Sequence, residues 1–144
     1  MKQCDNLSVG IILVDPQQKI LVFDRSTPPE GAALPAGHVD LHRSPQQAAR
    51  AELTEETGYT AAEMTLIGGG WVKNRCRRAA GPLGHGHRWA IFHCEDFDGE
   101  LNPSPRETSN ARWVSRDGLQ HLFERTVARG CKELSREEFD AEPG

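Results

Sequence analysis

No apolar run in this chain is long enough to cross a bilayer. The longest near the start, Val9 to Val14, is far short of the roughly 20 residues a spanning helix needs. Nothing before or after it has the layout of a signal peptide, so nothing directs export and a reducing cytoplasm is the expected location. The four cysteines, Cys4, Cys76, Cys94 and Cys131, are far apart and form no CxxC pair, which suggests neither a disulfide framework nor a zinc knuckle. Internal repeats and low-complexity linkers are absent as well. There is no excess of basic charge. The formal net charge of -4 advertises neither a membrane nor a stable nucleic-acid partner, so an anionic substrate has to be met by a local set of cations. A homodimer is compatible with this composition.

What is present suits one compact domain. With 144 residues, 37% hydrophobic and 26% charged, the chain can bury a core but not two. A single domain over residues 1–144 is expected, with 131–144 a polar tail whose Glu142-Pro143-Gly144 end is abrupt, as in a truncated element. Val9 to Val14 and Ile20 to Phe23 are short apolar runs separated by Asp15, Pro16 and two glutamines, the pattern of a β-hairpin. Ala32 to Val39 reads as an extended segment. Met64 to Val72 is strand-like but interrupted by Gly68, Gly69 and Gly70. Arg88 to Cys94 and Ala111 to Val114 are further strands. Ser115 caps a second helix whose Leu119, Leu122, Phe123 and Val127 fall on one face, with Gly130 at its end. A capping box is present at Ser135 and Glu138. Strands alternating with only two clear helices predict an α/β (α+β) fold with a mixed sheet covered by helices.

The best-marked element lies between residues 44 and 58. Ser44 is an N-cap, Pro45 occupies the first helical position, Gln47 stands three residues after the cap, and Gly58 supplies a left-handed terminator. Within this helix Glu52, Glu55 and Glu56 occur at i, i+3 and i+4, so the three carboxylates share one face, beside Ala49 and Leu53, which anchor the helix to a core. Like charges at this spacing repel by a few tenths of a kcal/mol per pair, roughly. A hard divalent cation offsets the repulsion, since carboxylate oxygens are its preferred ligands. An isolated E-x-x-E-E pattern is commonly a solvated helix face. The bracketing glycines are what distinguish this one.

Gly37, Glu52, Leu53, Glu55, Glu56 and Gly58, with Tyr59 loosely at the last position, resemble the Nudix box in register: Gly, five residues, Glu, seven residues, Arg-Glu, an aliphatic, any residue, Glu-Glu, any residue, Gly, an aliphatic. Two positions depart from it, Arg43 for the box glutamate and Ala51 for the box arginine. The resemblance covers nearly the whole chain, with only the box specific. It implies a Nudix-like α/β/α sandwich and hydrolysis of the pyrophosphate bond of a nucleoside diphosphate-linked substrate: an NTP, a dinucleotide polyphosphate or a nucleotide sugar. It also implies Mg²⁺ or Mn²⁺ on Glu52, Glu55, Glu56, the Ala36 carbonyl and a loop acid. Glu107, six residues before Trp113, is the choice for that acid, with Glu95 and Glu100 as competitors. The resemblance further implies that one of the helix glutamates or Glu107 takes the proton of the attacking water.

The family arginine orients the catalytic carboxylates. Ala51 cannot, and Arg50 points about 100° away around the helix. Arg43 is therefore expected to reach in from the loop and partly replace that charge. The same two substitutions suit a second reading, a catalytically weak Nudix-fold nucleotide-binding or regulatory module. A third, an isomerase of prenyl diphosphates, lacks a cysteine near the box. For phosphate binding the candidates are Arg43, Arg75, Arg77, Arg78 and Arg88, with Lys73 beside them. His85 and His87 form a weak metal pair, and Trp71 and Trp89 are either base-stacking or packing residues.

Overall fold

A computed structural model of the chain describes residues 3–25, 31–40, 44–73, 78–103 and 108–121. The first strand, β1 (Leu7–Leu13), presents Val9, Ile11 and Leu13 at two-residue spacing, and all three are fully buried. It turns at residues 15–19, where the Asp15 carboxylate accepts hydrogen bonds from the Gln17 and Lys19 N–H groups at 3.0 and 2.8 Å. The chain then enters β2 (Ile20–Arg25).

The hairpin expected from these two runs does not form. A single bridge, Val14 to Ile20, closes the turn, and beyond it the strands join different sheets. A strand has only two hydrogen-bonding edges. Those of β1 are taken by β4 (Ala36–His38), antiparallel, and β7 (His87–Cys94), parallel. Those of β2 are taken by β3 (Ala32–Ala33) and β9 (Thr108–Val114), both antiparallel. The extended segment before the box is thereby split: its first half edges one sheet and its second half the other.

The larger sheet, in the order β4-β1-β7-β6, is mixed, as the strand and helix pattern predicts. Its last strand, β6 (Thr65–Val72), runs straight through Gly68, Gly69 and Gly70 instead of breaking there. The glycines are accommodated by a register shift between Leu66 and Gly68, and a Cβ at Gly69 would lie 2.0 Å from the Trp89 carbonyl oxygen. The run is thus a strand with an irregular register and, at Gly69, a close approach to its neighbour. A two-stranded ribbon, β5 (Thr60–Ala61) with β8 (Phe97–Asp98), completes the described strands.

The helix α1 (Pro45–Thr57) has the predicted limits. The Ser44 hydroxyl accepts from the Gln47 N–H at 3.2 Å, and Gly58 ends the helix at φ 84° with its N–H on the Thr54 carbonyl. Ala48, Ala49 and Leu53 are fully buried against β1 and its neighbours. Beyond the helix, the Thr57 carbonyl accepts from the Asn102 N–H at 2.6 Å. Tyr59, in the box's aliphatic position, makes an edge-on contact with Phe97, which stacks on Trp113. An aromatic cluster thus takes over the packing an aliphatic residue provides. Ser115 opens a helical segment over 116–121, its hydroxyl accepting from the Gly118 N–H at 3.1 Å. Leu122, Phe123 and Val127 lie outside the described residues.

Gly58 combines a left-handed backbone with lack of room, since an added Cβ would sit 2.7 Å from the Glu100 carbonyl oxygen. Gly58→Ala is expected to lower unfolding free energy by more than the ~1 kcal/mol of conformational strain alone, read as a lower urea midpoint at unchanged m-value.

Candidate active site

The three helix glutamates occupy different environments along one face of α1. Glu55 is exposed, Glu52 is half-buried and Glu56 is buried at 7% exposure. A buried carboxylate needs partners. One Glu56 oxygen accepts the Ala36 N–H at 3.1 Å, so the strand residue preceding the box glycine pins it. Glu52 packs its carboxyl group directly over Gly37. A Cβ built on Gly37 would lie 2.1 Å from the Glu52 Cδ and 2.4 and 2.5 Å from its two oxygens. The first glycine of the motif is therefore required by contact: only a residue without a side chain lets this carboxylate lie on β4.

The result is an acidic edge where α1 meets the strand bearing Ala36 and Gly37. Carboxylate oxygens of this kind are the donors a hard divalent cation prefers. Glu107 and Arg43 lie outside the described residues, as do Arg75 and Arg77. Glu95 and Glu100 are both exposed.

Comparison with known proteins agrees with this architecture. The chain matches the NUDIX domain over residues 5–133. It is 30% identical to an RNA pyrophosphohydrolase of Saccharophagus degradans over 89% of this chain and 84% of that one. It belongs to the Nudix hydrolase family. Among solved structures, a NUDIX hydrolase from Nitrosomonas europaea superposes with a TM-score of 0.64 at 21% identity, covering 89% of this chain and 86% of that one. The NUDIX domain of Shewanella oneidensis NrtR, in complex with ADP ribose, does so with a TM-score of 0.58 at 21% identity, covering 90% and 89%. The reaction class of this Nudix protein is accordingly hydrolysis of a pyrophosphate bond.

The cationic candidates separate once they are placed. Arg78 is held by Asp40 in a two-pronged ion pair, at 2.5 and 2.8 Å, and this hydrogen bond raises the guanidinium pKa further. Arg88 is exposed on β7, opposite Trp71 of β6 and Leu7 of β1. Arg50 donates to the Ala62 carbonyl at 2.7 Å, which engages it away from the position of the missing box arginine. The tryptophans lie against glycines. The Trp71 ring approaches Gly86, with its indole nitrogen buried and without a hydrogen-bond partner among the described residues, and the Trp89 ring approaches Gly10.

Sequence reading missed one cluster. His87 does not pair with His85. It meets Cys4 and His38, with the Cys4 Sγ 3.2 Å from His87 Nε2 and 3.6 Å from His38 Nε2. His38 and His87 lie 34 and 83 positions from Cys4, so no local motif announces them; of the two histidines, His38 falls in the expected extended segment and His87 just ahead of the strand expected from Arg88. His87 is buried at 3% exposure, and its pKa is lowered to about 4, chiefly by burial and further by its His38 neighbour.

Since an unfolded histidine titrates near 6.5, the unfolded chain binds the additional proton between that value and about 4. Stability is then complete above about pH 6.5 and is lost as the pH falls toward about 4. The loss expected for chelator-treated protein, from urea titrations across that range, is a few kcal/mol at most, at about 1.4 kcal/mol per pKa unit. A flat profile there is inconsistent with a neutral, buried His87.

Proposed function

We propose that this Nudix protein uses Mg²⁺ or Mn²⁺ to hydrolyse the pyrophosphate bond of a nucleoside diphosphate-linked substrate, with Glu52, Glu55 and Glu56 as its working carboxylates. The observation that carries this is the joint arrangement of Glu56 on the Ala36 N–H and Glu52 on Gly37. It seats two acids against β4, with a third exposed on the same helix face. Such crowding is unfavourable unless a cation is the purpose.

Glu52, Glu55, Glu56 and the Ala36 carbonyl, with Glu107 as the loop acid, are the groups that would hold the ion. When bound, it supplies a more acidic water and neutralises charge on the phosphoryl oxygens. Glu56, fixed by its backbone donor, keeps its carboxylate in one orientation. Glu55, with its greater exposure, faces the solvent from which water and substrate arrive. One of the helix glutamates, or Glu107, takes the proton of the attacking water as the P–O–P bond breaks. Arg88 contributes positive charge toward the phosphates, and Arg43, Arg75 and Arg77 are assigned the same part from sequence. Arg78 does so only by leaving Asp40, which makes it the weakest of the five. The products are a monophosphate and phosphate or a phosphorylated leaving group.

Two observations bear on the substrate. The related RNA pyrophosphohydrolase adds RNA to the triphosphates, dinucleotide polyphosphates and nucleotide sugars. ADP ribose on the NrtR domain illustrates that this fold accommodates a nucleoside diphosphate. The test is phosphate release from each of these four classes in the presence of Mg²⁺ or Mn²⁺. Turnover of at least one class is expected, abolished by EDTA and reduced by two or more orders of magnitude in Glu55→Gln and Glu56→Gln. Arg43→Ala is expected to cost about tenfold. Nucleotide binding without turnover of any class would replace this reading with that of a binding module, the role suggested by Ala51.

Gly37 provides a check independent of carboxylate removal. Gly37→Ala retains every acid yet drives the Glu52 carboxylate off β4, so kcat is expected to fall at least tenfold while the far-UV circular dichroism spectrum stays native. Full activity in this variant would dissociate the Glu52 position from catalysis.

A further inference from the structure

On the other face of the box strand lies a second set of donors of different chemistry. Gly37 faces Glu52, and the next residue, His38, joins Cys4 and His87. We propose that Cys4, His38 and His87 form a binding site for a borderline-soft divalent cation of the Zn²⁺ class, separate from the hard-ion site on the glutamates.

The geometry fits such an ion. Tetrahedral zinc with Zn–S of ~2.3 Å and Zn–N of ~2.05 Å places a sulfur and an imidazole nitrogen about 3.5 Å apart. The Cys4 Sγ is 3.2 and 3.6 Å from the two Nε2 atoms, and one donor atom from each residue lies within 4.8 Å of the others. Three donors of this type, one thiolate and two imidazoles, are the preference of Zn²⁺ and not of Mg²⁺. Three protein ligands are one fewer than a closed structural site, so water or an outside ligand completes the coordination.

The surroundings hold each donor in place. Asn6, in the left-handed conformation at φ 60° and 2% exposed, donates through its side chain to the Gly84 and Gly86 carbonyls at 3.0 and 2.9 Å. Its carbonyl accepts the Arg88 N–H at 2.8 Å, which fixes both sides of His87. The Asn6 N–H points at the Cys4 sulfur at 3.4 Å, a contact that favours the thiolate. His38 is held from the other direction, since the following two residues donate to the Leu7 carbonyl and the Asp5 carboxylate at 3.2 and 2.7 Å. Outer contacts of this kind set ligand orientation in metal sites. Cys4 and His87 also line a narrow crevice with Arg78, Ala79, Gly84 and His85. A bound ion would tie the N-terminal segment, β4 and β7 together directly behind the box glycine.

Cobalt(II) titration tests this, because a Co²⁺–thiolate bond gives a near-ultraviolet charge-transfer band that oxygen ligands do not. The wild-type protein, titrated in millimolar Mg²⁺, is expected to develop the band at one Co²⁺ per chain, to lose it when Zn²⁺ is added, and to melt several degrees higher with Zn²⁺ present. Cys4→Ser should abolish the band. His38→Ala, at a half-buried position where folding is least at risk, should weaken Co²⁺ binding tenfold or more. The Glu55→Gln/Glu56→Gln double variant should leave both intact. A wild-type protein without the band, or a band unchanged in Cys4→Ser and His38→Ala, overturns the proposal. Should Cys4→Ser fail to fold, the His38→Ala affinity decides alone.

Discussion

The contact between the Glu52 carboxyl group and the bare Cα of Gly37 sets the distance at which α1 lies on the larger sheet. With a side chain at 37, the helix or the carboxylate would have to move by more than an ångström. Everything placed by α1 depends on that closeness. Leu53 and Ala49 reach the core formed with Val9 and Ile11, and Glu56 reaches the Ala36 N–H. The Nudix glycine is thus the means by which an acidic side chain and a strand share space, and its value is steric before it is conformational.

The same strand explains why two chemistries stand so close together. Side chains alternate across a strand, so Gly37 and His38 belong to opposite faces of β4 although they are neighbours in sequence. One face meets a helix rich in carboxylates; the other meets β7 and the N-terminal segment, which bring His87 and Cys4. Hard oxygen donors and borderline-soft nitrogen and sulfur donors are segregated by the pleat. A divalent ion with a preference for one set has little reason to occupy the other.

Asn6 has a structural part out of proportion to its size. It caps three points of the 83–86 loop and also supports Arg88 and Cys4. A buried amide with every polar atom satisfied is specific in a way apolar packing is not. Its carboxamide explains the neighbouring Gly81 too, where a Cβ would lie 2.1 Å from the Asn6 Oδ1.

Local signals in the sequence determined the glutamate helix almost to the residue. Ser44, Pro45 and Gly58 act within one helical turn of their own positions, so their meaning needs no tertiary partner. The same holds for the shared face of Glu52, Glu55 and Glu56, which follows from 3.6 residues per turn, and for the strands rich in β-branched residues. Only the tertiary structure decided how those strands pair. Val9–Val14 and Ile20–Phe23 carry a hairpin pattern, yet each is an inner strand with two longer-range partners, and hydrogen-bonding edges are not written in hydrophobic alternation. Gly68 to Gly70 look like a break because a sequence does not reveal that the Trp89 carbonyl passes over the middle one, Gly69. The Cys4, His38 and His87 cluster was invisible for the same reason: donors scattered over 83 positions acquire a common chemistry only when the sheet brings them within bonding distance.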